Sequence, residues 1–237
     1  MEKSIVIKLG GSLIYDLNLG INKELMKKLH SWYVAHGPEY NFIVFVVGGG
    51  KISRHLVSQV EDLAKDELSK HRIGMEATRT NAAILASVLG SSAGEILLPT
   101  SFGELLEFIV TNKRGTIITG GFKAGWSSDM NAAIVADIIG QNKVYKLSDI
   151  DHVYTADPKS NPDATPIQDL TWSDYFKMFN LSMENAHDAP GLHVPVGTHA
   201  AQFSVRKGLS FFVSGGKNLE SQADLAAVFE SGTYLHP

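Results

Sequence analysis

The 237-residue chain contains no cysteine. That removes a thiolate nucleophile, a disulfide framework and a cysteine-ligated zinc site. No apolar run reaches membrane-spanning length, so no span or membrane partner is expected. Basic residues are not in excess: 21 Lys and Arg stand against 25 Asp and Glu, for a net charge of −4. A nucleic-acid partner calls for a basic face, and none is indicated. The pair Lys27-Lys28 reads as a solvated helix face. Met1-Glu2-Lys3 leads directly into a strand-like run without the pattern of a signal peptide, and the expectation is a cytoplasmic protein. There is no internal repeat, low-complexity tract or clean interdomain linker.

What the chain does have is glycine at the ends of apolar runs. Ile5-Val6-Ile7-Lys8-Leu9 is closed by Gly10-Gly11-Ser12, Val44-Phe45-Val46-Val47 by Gly48-Gly49-Gly50, and Thr116-Ile117-Ile118-Thr119 by Gly120-Gly121. An unbroken apolar run reads as a buried parallel strand. Glycine at its end lets the backbone approach a ligand, and the N–H groups of the following helix favour anions. The lysine-serine/threonine ending of the P-loop is missing, and the glycine spacing is not the dinucleotide fingerprint. Three such edges in one sheet form a row of phosphate seats. Two phosphorylated ligands set end to end are what phosphoryl transfer requires.

Strand patterns near 4–9, 42–47, 95–98, 116–119, 143–147 and 210–213 alternate with helical patterns. The helical patterns lie near 22–36, 51–68, 76–90, 102–110, 129–139, 171–179, 199–208 and 220–229. Ala132, Ala133, Val135, Ala136 and Ile139 give the clearest helical stripe. Alternation of this kind implies a parallel sheet covered on both faces, with strand-end loops along one rim. A chain of this length buries about 70–75% of its unfolded surface and needs no staple. Residues 149–170 read as a long loop or small hairpin, and 185–198 as a second irregular stretch with Pro190-Gly191 and Pro195. A division near residue 140 would give an acceptor-side lobe, 1–140, and a nucleotide-side lobe, 141–237, within one domain sharing one sheet.

Lys8 is the first candidate for chemistry. A lysine in a buried strand is costly unless its ammonium meets a partner, and a phosphate at this edge supplies one. The other course is a side chain leaving the sheet for solvent. Gly49 and Gly50, followed by Lys51 and Arg54, suit a second phosphate, with Arg54 forking onto its oxygens. Asp129, after Ser127-Ser128, is either an ordinary first-turn acid or cap, or a carboxylate that positions Lys8. Asp149, Asp151 and Asp157 cluster near a strand end. They suit Mg²⁺ or a ribose, and equally serve as turn formers. His187, His193 and His199 match no compact zinc spacing, and no metal-ligating set is assigned.

These residues together resemble the amino acid kinase superfamily, and within it the uridylate kinases, especially the archaeal type. The resemblance runs through Lys8-Leu9-Gly10-Gly11-Ser12, Val47-Gly48-Gly49-Gly50-Lys51 with Arg54, and Ile73-Gly74-Met75 with Ala77-Thr78-Arg79 and Asn81. It continues through Gly120-Gly121 with Ser127-Ser128-Asp129 and through Asp151 to Val153-Tyr154-Thr155-Ala156-Asp157-Pro158-Lys159. It implies an open three-layer α/β/α sandwich with a mostly parallel central sheet, homo-oligomers (hexamers in uridylate kinases), and transfer from ATP to UMP with Mg²⁺. By the resemblance, Lys8 stabilises the moving phosphoryl group and Asp129 organises the lysine. Gly10, Gly11 and Ser12 line the path between the nucleotides. Gly49, Gly50 and Arg54 hold the acceptor phosphate. Ser128 lies near the acceptor nucleotide, and Asp149, Tyr154 and Asp157 face ATP.

The chain departs from that pattern at four places. His71 stands where an acceptor-ribose aspartate is common, and Gly197 where an aspartate precedes the late Ala-Ala pair. Gln202 replaces a lysine of archaeal relatives, and His152 a glycine. These changes bear on the acceptor more than on ATP. They leave two alternatives to UMP: a kinase for another small phosphate or carboxylate, or a non-catalytic nucleotide-binding protein of the molybdate-storage kind. Gly48-Gly49-Gly50-Lys51 lacks the histidine that isopentenyl phosphate kinases carry in that segment.

Overall fold

All five residues of β1 (Ile5–Leu9) and all six of β2 (Phe42–Val47) are buried, as their unbroken apolar sequences require. The computed structural model describes residues 3–16, 18–64, 66–90, 96–158, 160–184, 194–216 and 225–237. β1 sits at the centre of the sheet, parallel to β2 on one side and to β5 (Lys143–Ser148) on the other. Outward from β2 lie β4 (Gly115–Thr119) and β3 (Ile96–Leu97), both parallel to it in turn. Outward from β5 lie β9 (Ser210–Gly215), β10 (Thr233–His236) and β8 (Asp169–Thr171). β10 runs antiparallel to β9, so this eight-stranded sheet is mostly parallel. One sheet thus spans residues from both sides of position 140. The stretch 149–170 contains a two-stranded antiparallel hairpin of β6 (Val153–Tyr154) and β7 (Pro166–Ile167).

Side chains alternate across β1. Ile5, Ile7 and Leu9 face a core shared with Leu25 and Leu29 of α2 (Lys23–His36) and Leu85 of α4 (Glu67–Leu89). Val6 faces the opposite core. That second core contains Ala132, Ala133 and Ala136 of α6 (Ser128–Ile138), Trp172 and Tyr175 of α7 (Trp172–Met178), and Ala200 and Ala201 of α8 (Thr198–Lys207). The outcome is a three-layer α/β/α sandwich. The period of two places Lys8 on the Val6 face, toward α6. The remaining helices are α1 (Gly11–Ile14), α3 (Gly50–Gln59), α5 (Phe102–Thr111) and α9 (Leu225–Val228). Among the described residues no helix is long and apolar enough to cross a membrane.

The expected helices at 51–68 and 76–90 are redistributed. α3 stops at Gln59, and α4 begins at Glu67 and continues for 23 residues. Asp66 caps it by accepting from the Ser69 N–H at 2.8 Å, so the helix starts well before residue 76. Gly74 lies inside α4 where it meets α3: a Cβ there would lie 3.2 Å from Ser53 Oγ. β8 and β10 were not expected, being three and four residues long with little periodicity. The helix placed at 220–229 is seen as α9, residues 217–224 lying outside the described residues. Pro190-Gly191, His187 and His193 also lie outside them.

Candidate active site

Lys8 and Lys146 are directly paired positions on adjacent parallel strands. Both side chains emerge on the α6 face, and both residues are buried. Asp129 lies between their ammonium groups. Its Oδ2 accepts from Lys146 Nζ at 2.6 Å, and its Oδ1 is 3.3 Å from Lys8 Nζ. Lys146 Nζ also donates to the Pro195 carbonyl, and the Gly197 N–H donates to Asp129 Oδ2 at 3.4 Å. Asp129 is a first-turn acid; the cap of α6 is Ser127, whose Oγ accepts from the Met130 N–H at 3.1 Å. The helix start therefore holds the carboxylate at the sheet edge and adds its own positive dipole.

The electrostatics of this group follow from burial and pairing. Burial pushes the Asp129 carboxyl upward. The Lys146 and Lys8 charges, the Lys146 hydrogen bond and the Gly197 N–H outweigh it and hold the carboxyl well below the usual range. Burial also dominates at Lys146, with the Lys8 charge acting in the same direction against Asp129, and its ammonium is pushed down to about 8. Two cations share one anion, so the cluster carries a net positive charge at neutral pH. Lys146 was missed by sequence reasoning. The signal was present: a lone lysine in Val144-Tyr145-Lys146-Leu147, the same pattern that marks Lys8.

The first two glycine-lined rims, which follow β1 and β2, touch each other. A Cβ on Gly11 would lie 2.2 Å from the Gly48 carbonyl oxygen, and one on Gly50 only 2.1 Å from the Gly11 carbonyl carbon. Gly50 also has φ +59, so both the space and the backbone conformation demand glycine there. Ser128 reaches the same junction, its Oγ 3.2 Å from a Cβ built on Gly48. Gly10 is fixed by its N–H donating to Leu147 O at 2.8 Å, which ties the first rim to β5. Ser12 is the second residue of α1. The third rim is joined through Thr78, whose Oγ1 accepts from the Gly121 N–H at 2.6 Å.

Arg54 is exposed on α3, the helix that begins at Gly50, and makes no hydrogen bond or ion pair among the described residues. His71 is exposed on α4 and faces the loop after β4, its Cδ2 3.9 Å from a Cβ built on Gly125. On the other side, Asp149 follows β5 and accepts from Ser148 Oγ at 3.2 Å. Tyr154 donates its hydroxyl to Asp151 Oδ1 at 2.9 Å, and His152 Nδ1 lies 3.5 Å from Asp151 Oδ2. Asp157 is exposed and caps a turn through its carbonyl, which accepts from the Asn161 N–H at 2.9 Å. The structure thus brings Lys8, Asp129, Ser128 and the first two glycine rims together. Arg54 and His71 lie on the side of β2 and β4, and Asp149, Tyr154 and Asp157 on the side of β5.

The model of the amino acid kinase family matches residues 3–212. This chain belongs to the amino acid kinase family. A uridylate kinase from Methanobrevibacter smithii is 34% identical over 180 residues, 74% of this chain and 75% of that protein. One from Thermococcus onnurineus is 28% identical over 233 residues, covering 98% of this chain and 99% of the other. The crystal structure of uridylate kinase from Archaeoglobus fulgidus superposes with a TM-score of 0.73 at 25% identity, covering 99% of this chain and 100% of that one.

In this amino acid kinase the departures noted in the sequence have defined surroundings. Gly197 caps α8 and meets Asp129 with a backbone N–H instead of a second carboxylate. Among the described residues the two lysines therefore ion-pair with one acid. Gln202 is buried and turns its amide to Ser182 O at 2.7 Å. His152 is largely buried beside Asp151.

Proposed function

We propose that this amino acid kinase transfers the γ-phosphoryl group of ATP to UMP, giving ADP and UDP. The observation that carries this reading is the Lys8–Asp129–Lys146 cluster on strands whose ends carry two touching glycine rims. The names of the relatives supply the acceptor. A UMP phosphate oxygen attacks the γ-phosphorus as the bond to the β–γ bridging oxygen breaks, and ADP leaves with that electron pair. The acceptor is already ionised, so no base or covalent nucleophile is needed, and positioning and charge carry the catalysis. Lys8 stabilises the charge on the moving group. Lys146 compensates Asp129, so that the Lys8 charge is left for the substrate. Gly10, Gly11 and Ser12 line the path of transfer.

The acceptor phosphate sits against Gly49, Gly50 and Arg54, with Ser128 and His71 toward the nucleoside. Asp149, Tyr154 and Asp157 face ATP. In this reading residues 1–140 serve the acceptor and 141–237 the donor. Mg²⁺ takes few protein carboxylates when nucleotide phosphates supply its other oxygens. Among the described residues no three ligating side chains cluster, and Asp149, accepting only from Ser148, has oxygen lone pairs to offer such an ion. When bound, Mg²⁺ neutralises charge on the β- and γ-phosphates. A cytoplasmic homo-oligomer, a hexamer as in uridylate kinases, completes the proposal. Its support is α3, which buries no residue within the chain and leaves Leu56 exposed, with Leu63 and Leu68 exposed beyond it. Light scattering would read the mass directly.

The test of function is a turnover screen of nucleoside monophosphates and other small phosphates with Mg-ATP as donor. UMP-dependent ADP release, with UDP as product, is expected. Turnover of another phosphate in preference to UMP would replace the acceptor. ATP binding without turnover, together with bound molybdenum or tungsten in elemental analysis, would overturn the kinase reading.

A further inference from the structure

One buried amide ties the first glycine rim to the second. Asn81 lies within α4 and is completely buried. Its Nδ2 donates to Gly48 O at 2.8 Å and to Gly49 O at 3.2 Å. Its Oδ1 accepts from the Tyr15 hydroxyl at 2.6 Å. Tyr15 is itself buried and directly follows α1, the helix that begins at Gly11.

The direction of these bonds matters for ligand binding. A trans peptide points its C=O and N–H in opposite directions. Holding the Gly48 and Gly49 carbonyls back against α4 therefore turns the N–H groups of Gly49 and Gly50 the other way, out of α4. The Gly49 carbonyl also accepts from the Ser53 N–H at 3.3 Å as α3 begins, so the Gly48–Gly49 peptide, glycine on both sides, is the one that relies most on Asn81. A flipped peptide would present a carbonyl oxygen to an incoming phosphate and repel it. An asparagine amide is two-ended, and only its NH₂ end can donate to both carbonyls. The Tyr15 hydroxyl, donating to Oδ1, fixes which end faces the glycines. The same helix fastens the third rim one turn earlier, where Thr78 Oγ1 accepts from Gly121 N–H and Arg79 Nε donates to Gly121 O at 3.1 Å.

We infer that Asn81 is a positioning residue that keeps the Gly48–Gly50 peptides oriented for an anion, and that Tyr15 sets the orientation of its amide. The inference rests on reading this rim as the acceptor phosphate seat. Asn81→Asp keeps the shape but replaces the donor with oxygen, and Tyr15→Phe removes one hydroxyl. Asn81→Asp is expected to raise the KM for UMP by about tenfold or more, and Tyr15→Phe by about threefold. The KM for ATP should stay within about twofold, and so should the inhibition constant of uridine, which has no phosphate.

An unchanged KM for UMP in both variants would overturn the inference. So would an equal loss of uridine affinity, which would mean general damage to the fold. If Asn81→Asp does not fold, Tyr15→Phe carries the test. A wild-type enzyme that turns over no UMP defeats the acceptor reading instead. Calorimetry with inorganic phosphate then decides the inference: weaker binding to the variants supports it, and equal binding overturns it.

Discussion

Asp129 is shared unequally between two lysines: Oδ2 is 2.6 Å from Lys146 Nζ, and Oδ1 is 3.3 Å from Lys8 Nζ. Lys146 is tied further, to the Pro195 carbonyl. Among the described residues Lys8 has only the longer ion pair. This asymmetry gives the two cations different tasks. In the proposed mechanism Lys146 is a structural counter-charge, and Lys8 keeps its N–H donors available to a ligand at the glycine rims.

That division sets the pH dependence. The Lys146 ammonium is pushed down to about 8. Above that pH it deprotonates, Asp129 draws on Lys8 alone, and less positive charge remains for the phosphoryl group. kcat should fall as pH rises through about 8. In Lys146→Gln, kcat should be low throughout and this limb absent. A limb near pH 8 that persists in Lys146→Gln would assign it to another group.

Stability should follow the same groups. Asp129 is held below its ordinary value of 3.8, so its pairing stabilises the fold above that pH and is lost as pH falls below it. Lys146 is displaced downward from 10.5, so the unfolded chain binds more protons between about 8 and 10.5, and this lysine makes stability rise across that window. Asn at position 129 would leave two buried ammonium groups without an anion. Asp129→Asn should cost about 3–5 kcal/mol at pH 7 in urea unfolding, with a flatter acid limb than the wild type. A loss below about 1 kcal/mol would show that solvent already screens the cluster.

Arg54 is exposed and unpaired among the described residues, so its removal breaks nothing in the fold. Arg54→Ala should leave Tm within the noise and raise the KM for UMP by about tenfold or more, the loss of a charge-assisted hydrogen bond. Equal loss of ATP affinity in a binding assay would mean that the donor and acceptor sides are reversed.

His71 faces the loop after β4, the side proposed to take the acceptor. A carboxylate there accepts two ribose hydroxyls, which a neutral imidazole with one free lone pair cannot do. His71→Asp should therefore raise kcat/KM for UMP. No change with any nucleoside monophosphate would place the acceptor ribose elsewhere.

The sequence disclosed the centre of the fold better than its margins. β1 and β2 are buried on both faces, so their apolar runs admit one reading. Lys8 stood out because it was a lone charge in such a run. Lys146 obeys the same logic, but it shares its short strand with Lys143, so it is not the single charge of its run as Lys8 is. β8 and β10 exist through pairing with each other and with β9, a tertiary cause that three or four residues do not announce. The role of Asn81 was equally hidden. Its partners lie 66 and 33 residues away, and only the packing of α4 across the strand ends brings them within reach.

The proposed transfer depends most on the charge at the tip of Lys8. Lys8→Ala, assayed with saturating UMP and varied Mg-ATP, isolates it. A group matched to the moving phosphoryl acts in the transition state, so kcat should drop by about 10²–10³ while the KM for ATP changes little. An unchanged kcat, or a loss confined to the KM for ATP, would contradict it.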